Sequence, residues 1–282
     1  MQTIRLREES LQPVDLEIRI NHPQKGLRWL RLQTFPTKSD VGGIRVFGLI
    51  ADITDRKDEE QLRISRLLEQ RDVLVREVHH RIKNNLQGVA GLLQHASRNR
   101  PDLKIHLDEV STQIQAIAQV HGLQVRAGQA LPLRGLAKSI FDNLSRIMPE
   151  GVTFNVTHAG AGSGGIDTTA LYALPESEAV PVALVLNELG TNALKHGSNG
   201  ARVSMTSPAN NVVVFEFENV GNLPVGFDYT KVNNHASGIG LIKALVPRRG
   251  GSIVYLQQGA SVIVRLTLQA PAIILQSNDD NS

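Results

Sequence analysis

The chain contains no cysteine, which excludes disulfides, thiolate metal sites and cysteine nucleophiles. Aromatic residues make up only 4% of its 282 residues, with one tryptophan, so no stacking platform for nucleic acid is present. The formal net charge is only +3 and the basic residues are scattered, so we expect no nucleic-acid partner. No apolar run approaches the roughly 18 residues that cross a bilayer. The amino-terminal stretch also lacks an apolar signal core. We therefore expect a cytoplasmic protein with no membrane segment in this chain.

The first two regions of the chain differ in their hydrophobic periodicity. Residues 14–55 alternate apolar and polar side chains between turn residues, which predicts antiparallel strands. From Asp55 to Arg98 the apolar residues recur at helical spacing, and a second such stretch runs from Asp102 through Val120. Two amphipathic helices with a short turn form an α-hairpin whose apolar stripe is under-buried. We expect two hairpins to pair as a dimeric four-helix bundle, with packing inside the monomer as the alternative.

The third region alternates helices and strands from about Leu131 onward, which predicts a two-layer α/β sandwich. The glycine-rich residues 159–165 are interpreted as a loop, because neither a lysine nor a helix start follows them. A polar tail is expected to be disordered. The predicted fold class is α+β. Its predicted segments are a β-structured part at 1–55, a signalling helix and hairpin at 56–130, the sandwich at 131–272 and the tail at 273–282.

A predicted helix over residues 181–197 carries the first polar constellation. Glu188 and Asn192 are four residues apart and share a face, and Lys195 follows three residues later. A carboxylate, a carboxamide and an ammonium on one stripe suit a metal–triphosphate site. The alternative is an amphipathic helix whose polar face is solvated.

Two further segments follow that helix in order. Residues 218–224 come after a strand, and Gly221 allows a ligand to approach the backbone closely. Residues 236–242 form a glycine-rich loop that runs into a helix, whose amino terminus presents free N–H groups to phosphate. The ordered set resembles the ATP-binding domain shared by histidine kinases, Hsp90-type chaperones, gyrases and MutL-type ATPases (the GHKL or Bergerat fold), over roughly residues 131–270.

That resemblance implies ATP and Mg²⁺ as ligands and a role for each matching residue. Asn192 corresponds to the Mg²⁺ ligand and Glu188 to the nearby polarising acid. Asn219 stands where the family usually has an adenine-reading aspartate, and its amide oxygen accepts a hydrogen bond more weakly than a carboxylate does. The remaining nucleotide-binding positions implied by the resemblance are Lys195, His196, Gly221, Ser237, Gly238, Gly240 and Leu241.

The second constellation is the segment Arg76–Gln87, which reads REVHHRIKNNLQ. It resembles the phosphoacceptor segment of the HisKA_2 type of histidine kinase, and the histidine before the arginine, His80, corresponds to the acceptor. At about 100° per residue, His80 lies on the outer face of the hairpin and His79 at the edge of the buried stripe. Glu77 and Asn84 share the face of His80, and we predict that Glu77 accepts the imidazole proton. His79 is interpreted as an edge-of-core histidine.

The amino-terminal region resembles the last strands of a PAS sensor domain and its exit into a signalling helix, over residues 27–32 and 48–57. Only the carboxy-terminal part of such a domain is expected in the chain, so the usual ligand pocket is incomplete and no flavin or haem is predicted. A purely structural cap is the alternative interpretation.

Together the resemblances imply a sensor histidine kinase, an ATP-dependent protein-histidine kinase that passes its phosphoryl group to an aspartate in the receiver domain of a response regulator. A homodimer is the implied assembly. The alternative is a catalytically weak or inactive signalling scaffold that keeps the fold. A relative of the anti-sigma serine kinases is disfavoured because those lack the histidine-bearing hairpin. A gyrase-like or MutL-like enzyme is disfavoured by the absence of a transducer domain and a basic groove.

Overall fold

The structure is a computed structural model that describes residues 12–38, 43–127, 130–147, 151–156, 171–232 and 238–276. The chain forms two compact units, Met1–Leu74 and Val75–Ser282. No helix in the described ranges is both long and apolar enough to span a membrane.

The first unit contains an antiparallel meander of β1 (Val14–His22), β2 (Gly26–Lys38) and β3 (Ile44–Asp52), in that spatial order. Every residue of β3 is exposed, so the sheet has little core of its own, as expected for three strands with so little sequence around them. Asp52 lies just before the first helix, and its Oδ1 accepts hydrogen bonds from the backbone N–H and the hydroxyl of Thr54, the first residue of that helix.

The hairpin consists of α1 (Thr54–Asn99) and α2 (Lys104–Ala127), close to the predicted limits. Three small residues of the hairpin, Ala90 on α1 and Ala116 and Ala118 on α2, are buried. Near the turn, the hydroxyl of Ser97 donates a 2.7 Å hydrogen bond to Asp108. The predicted hairpin is therefore present, and pairing of two hairpins stays a prediction.

The remainder of the second unit is a layered α/β structure. Its helices are α3 (Leu133–Ile147), α4 (Glu176–His196) and α5 (Gly238–Leu245). The main sheet has five strands in the order β5-β7-β8-β10-β9, with β5 parallel to β7 and the other pairs antiparallel. Its strands are β5 (Val152–Val156), β7 (Ser198–Ala209), β8 (Val212–Val220), β9 (Gly251–Gln258) and β10 (Ser261–Gln269). The α+β fold class is thus confirmed.

Helices α3 and α4 cover the buried face of this sheet. Along β8 the side chains alternate between buried and half-buried, with Phe215 and Phe217 fully buried. Phe141 of α3 packs edge-on against Phe217, with ring centroids 5.8 Å apart. Val120 of α2 is buried in the same core, so the hairpin and the sandwich share apolar packing.

A second, three-stranded sheet was not predicted from the sequence. It consists of β11 (Ile274–Leu275), β6 (Tyr172–Pro175) and β4 (Ala130–Pro132), in that spatial order. The predicted tail boundary at 273 therefore needs correction, since Ile273 is buried and the next two residues pair with β6. Two- to four-residue strands carry too short a pattern to be recognised from periodicity. The predicted loop 159–165 lies outside the described residues.

Candidate functional site

Helix α4 places three of its polar residues in the interior. Asn187, Glu188 and Thr191 are each only 2% exposed. The alternative of a solvated polar face therefore does not apply to these positions. A carboxylate buried to this degree needs hydrogen-bond partners or a cation, because burial without them is costly.

The carboxylate of Glu188 is held between the hairpin and the amino terminus of α5. Gln113 of α2 donates a 3.0 Å hydrogen bond from Nε2 to Oε1 of Glu188. The other oxygen, Oε2, lies close to Gly238, where an added Cβ would be 2.5 Å away. Burial raises the pKa of Glu188, and the hydrogen bond from Gln113 opposes that rise. Glu188 therefore binds a proton more readily than an exposed glutamate does, and it lies beside Gly238, where α5 begins.

The side chain of Lys195 forms an ion pair with Glu109 of α2. One helical turn along α2, Thr112 lies beside Asn187, with 3.5 Å between Oγ1 and Nδ2. The polar face of the hairpin's second helix therefore contacts the polar face of α4 at three positions. The resemblance implied a lysine close to phosphate, whereas the structure places the Lys195 ammonium on a carboxylate of the hairpin.

Beside α4 lies a cavity of about 270 Å³ that brings together residues from distant parts of the chain. Three of the predicted nucleotide-binding residues line it, namely Asn192, His196 and Asn219. Its other walls are mostly apolar and include Leu189, Ala193, Leu223, Ile239, Val262 and Val264. An apolar cavity with a few polar groups is typical of a small-molecule site.

The residues around Asn192 fit a metal-bound nucleotide. Its Nδ2 is buried and has no hydrogen-bond partner in the described part of the chain, and such orphaned donors are uncommon unless a ligand or water satisfies them. Within the described ranges no three His, Asp or Glu side chains converge to hold a metal on their own. A Mg²⁺ ion at Asn192 would therefore take most of its oxygen ligands from phosphate and water, which is its usual preference.

The cavity is also lined by Asn219, which is 6% exposed and lies near the end of β8. Gly197 and Gly221 make room for it, since an added Cβ would come within 3.0 Å and 3.2 Å, respectively, of Asn219 Nδ2. Gln257 braces the following loop by accepting from the backbone N–H of Leu223 at 2.8 Å and donating to the carbonyl of Gly221 at 3.1 Å.

The structure describes only part of the glycine-rich segment 236–242. Helix α5 begins at Gly238, with Gly240 buried and Leu241 half-buried. Ser237, which the resemblance also implied as a nucleotide-binding residue, lies outside the described residues.

The two adjacent histidines of the hairpin have different surroundings. His80 is exposed, as is Asn84 on the same face. His79 is half-buried, and its Nδ1 lies 3.0 Å from Nδ1 of His121 on α2, with the two rings stacked at 5.2 Å. The helical periodicity therefore placed the two side chains on the faces that they occupy.

Glu77, the predicted proton acceptor, carries an ion pair in the structure. Its Oε1 accepts a 2.7 Å hydrogen bond from Nε of Arg81. This pairing lowers the pKa of Glu77, so the carboxylate is a weaker base than an unpaired glutamate. Both side chains are exposed, so such a pair contributes little to stability.

Sequence reasoning missed the residues that α2 and β9 bring to the site. Gln113, Glu109, Gln257 and Tyr255 belong to no local motif, and nothing in their spacing indicates a tertiary contact. Only the packing of α2 against α4, and the register of β9 on β10, bring them close to the predicted residues.

Residues 77–148 match the family model HisKA_2, which is described as a histidine kinase. The chain is 25% identical over 224 residues to the sensor histidine kinase PdtaS of Mycolicibacterium smegmatis, an alignment that covers 76% of this chain and 42% of that protein. It is 31% identical over 187 residues to a blue-light-activated histidine kinase of Rhizobium johnstonii, covering 66% of this chain and 48% of that protein. The chain thus spans less than half the length of these curated relatives.

Among solved structures, the histidine kinase domain of the Erythrobacter litoralis EL346 blue-light-activated histidine kinase has a TM-score of 0.46 at 21% identity, covering 70% of this chain and 91% of that chain. The family match and the curated relatives support a histidine kinase. The matched segment contains His80 and its neighbours.

Proposed function

We propose that the chain is the kinase portion of a sensor histidine kinase that transfers the γ-phosphoryl group of ATP to His80. The observation that carries the proposal is the cavity beside α4, which Asn192, with its buried and unpartnered Nδ2, and Asn219 both line. The exposed position of His80, inside the segment that matches the histidine kinase model, supplies the acceptor.

In the proposed reaction, a neutral imidazole nitrogen of His80 attacks the γ-phosphorus in line. A bond forms between nitrogen and phosphorus, the bond from the γ-phosphorus to the bridging oxygen breaks, and ADP leaves. The imidazole proton passes to a base, for which Glu77 is the proposed acceptor. Mg²⁺, when bound, offsets negative charge on the phosphates.

The chain's own residues position the nucleotide. Asn192 offers its amide oxygen toward the metal-bound phosphates and its unpartnered Nδ2 as a donor. Gly238 lets the amino terminus of α5 approach the carboxylate of Glu188, because a side chain there has no room. Lys195 neutralises phosphate once it leaves Glu109.

The phosphoramidate formed at His80 has a high transfer potential and suits onward transfer to an aspartate, so we propose a response-regulator receiver domain as the partner. A homodimer is the proposed assembly. Apolar residues along the second unit's part of the hairpin support it, because they are exposed in the single chain: Val75, Val78, Val89, Leu92, Ile105 and Val110.

The experiment is autophosphorylation with γ-labelled Mg·ATP on the wild type, His79→Ala and His80→Ala. We expect acid-labile, alkali-stable label in the wild type and in His79→Ala, and none in His80→Ala. Label that persists in His80→Ala and disappears in His79→Ala would contradict the assignment of the acceptor.

A second candidate is a signalling scaffold that binds nucleotide without transferring phosphate. Asn219, in place of a carboxylate, and the ion pair that occupies Lys195 are the observations that favour it. Measurable ATP binding with no label in the wild type would support this candidate over the kinase.

A further inference from the structure

Tyr255 lies in the wall of the cavity beside α4, and no motif in the sequence indicates this position. Its ring packs against Phe227, with centroids 5.1 Å apart, and stacks on Tyr229 at 5.2 Å. Its hydroxyl is buried and has no hydrogen-bond partner among the described residues. A buried hydroxyl without a partner costs about 1–3 kcal/mol, so at a cavity wall it needs a ligand atom or a water to satisfy it.

Tyr255 and Asn219 flank the same strand from opposite sides. Asn219 of β8 is paired with Val262 of β10, and Tyr255 of β9 is paired with Val264. Paired residues and those two apart point to one face of a sheet, so all four side chains stand on the face that lines the cavity. Neighbouring strands are about 4.8 Å apart, which places β8 and β9 about 10 Å apart across β10.

The resulting slot has an apolar floor and two polar sides. Val262 and Val264 are each only 7% exposed and form the floor. Asn219 and Tyr255 supply the sides. A purine base matches such a slot, because its ring faces are apolar and its hydrogen-bonding groups lie along its edges.

Neither polar group is restricted to one hydrogen-bonding role. The carboxamide of an asparagine offers an acceptor oxygen and a donor NH₂, and a phenol both donates and accepts. Burial raises the pKa of Tyr255, so the phenol keeps its proton. An aspartate at 219 would only accept, and it would therefore demand a donor such as the 6-amino group of adenine and repel a 6-oxo group.

We propose that Asn219 and Tyr255 form a base-reading pair that accepts 6-oxopurine nucleotides, such as GTP, as well as ATP. Tyr255 is then a nucleotide-binding residue, and Asn219 is the residue that determines base selectivity. The inference rests on the nucleotide site of the proposed function, and it does not depend on phosphoryl transfer to His80.

The test is equilibrium binding of Mg·ATP and Mg·GTP to the full chain and to three variants. For the wild type we expect dissociation constants for GTP and ATP within about 10-fold of each other. Asn219→Asp should widen the preference for ATP by about 10-fold or more, because an acceptor-only group faces the 6-oxo group. Tyr255→Phe should weaken the binding of both nucleotides by about 5- to 10-fold, which corresponds to the loss of one ordinary hydrogen bond.

Tyr229→Phe is the matched control. Tyr229 stacks on Tyr255 but does not line the cavity, so this variant should bind both nucleotides like the wild type. Thermal unfolding without nucleotide adds a second measurement. If the Tyr255 hydroxyl has no hydrogen-bond partner in the nucleotide-free protein, Tyr255→Phe should leave the melting temperature of that protein unchanged or raise it.

Three results would overturn the inference. GTP binding more than about 100-fold weaker than ATP binding in the wild type would show a site that selects the 6-amino group. Unchanged affinities in Tyr255→Phe, with a lower melting temperature, would show a hydroxyl satisfied inside the protein. Absence of all nucleotide binding would overturn the inference together with the proposed function, whereas binding of both nucleotides without label on His80 would overturn only the kinase proposal.

Discussion

Gln113 and Glu188 join two parts of the chain through one hydrogen bond, in which Nε2 of Gln113 donates to Oε1 of Glu188 at 3.0 Å. Gln113 belongs to the hairpin that carries His80, and Glu188 belongs to helix α4 beside the cavity. Because Glu188 is buried, this bond stabilises its ionised form against the effect of burial.

We therefore expect the donor at position 113 to control autophosphorylation. Gln113→Met, which keeps the size but removes the donor, should lower the rate by about 10- to 100-fold, in line with the roughly 1.5–3 kcal/mol of a hydrogen bond to a charged group. Gln113→Glu should be at least as damaging, because it places a second carboxylate beside Glu188. Gln113→Lys, which donates, should retain most of the rate.

The pH profile separates this role from simple packing. Loss of the donor raises the pKa of Glu188 further, so the acid limb of the rate profile should move to higher pH in Gln113→Met. Gln115→Met is the matched control, since Gln115 accepts a 2.9 Å hydrogen bond from Asn143 on α3 and has no hydrogen bond with Glu188. Equal losses in both variants, with no displacement of the acid limb, would indicate general loosening of α2.

The ion pair between Glu109 and Lys195 should restrain nucleotide binding. Glu109→Gln frees the ammonium for phosphate, so we expect ATP to bind about 2- to 5-fold more tightly, within the range of a partly exposed ion pair. The measurement is equilibrium binding of Mg·ATP at low salt. Asp142→Asn makes the same change of charge in the exposed pair with Lys138 on α3 and should leave affinity unchanged.

A tighter affinity in both of these variants would mean that net charge alone, and not release of Lys195, produces the effect. Raising the salt concentration should shrink the gain in Glu109→Gln, because an exposed pair is screened.

The pair of His79 and His121 predicts a hairpin that weakens in acid. Burial, and then the charge of His79, lower the pKa of His121 below 6.5, while the side chain of Gln124 and the charge of Glu176 oppose this more weakly. A histidine with a lowered pKa in the folded state binds protons more readily when unfolded. Its contribution to stability is therefore complete above a pH of about 6.5 and is lost as the pH falls from there through the lower pKa of the folded state.

Melting temperatures measured from about pH 8 to pH 5.5 test this expectation. The wild type should lose stability over this range, and His121→Gln should lose less of it. His95→Gln changes an exposed histidine on α1 and should follow the wild type. Parallel curves for all three proteins would show that the pair does not couple protonation to folding.

Gly197 should not tolerate a side chain. An added Cβ would lie 2.5 Å from the carbonyl oxygen of Ala193 and 2.8 Å from Cβ of Asn219. Gly197→Ala should therefore lower stability by about 1–3 kcal/mol, as overpacking does, and should weaken ATP binding by displacing Asn219. Gly135→Ala, on α3, meets only an ordinary contact with Pro132 at 3.9 Å and should be neutral or stabilising. Chemical denaturation of both variants gives the comparison.

Much of the fold was predictable because long amphipathic segments carry a strong period. The limits of α1 and α3, and the strands of the five-stranded sheet, follow from apolar spacing and turn residues. The separate faces of His79 and His80 follow from the same helical geometry. Assignment of roles to these residues depends on motifs and on resemblance.

The parts of the site that the sequence did not predict depend on tertiary contacts, which leave no local sequence pattern. The sequence placed Glu188, Asn192 and Lys195 on one polar stripe, but burial of Glu188 arises from the docking of α2 and the approach of Gly238. The unpartnered hydroxyl of Tyr255 depends on strand register and on the loop that carries Phe227. Such tertiary contacts join residues far apart in the chain, and spacing does not specify them.

The contacts of α2 with α4 also affect how the protein can be recombined. The hairpin and the sandwich meet through matched polar pairs, Glu109 with Lys195 and Gln113 with Glu188, and share Val120 in one core. A chimera that joins this hairpin to the nucleotide domain of a relative would separate each pair from its counterpart. A chimera therefore has to keep both sides of this contact from the same protein. The boundary near residue 130 is an unsuitable junction between two parent sequences.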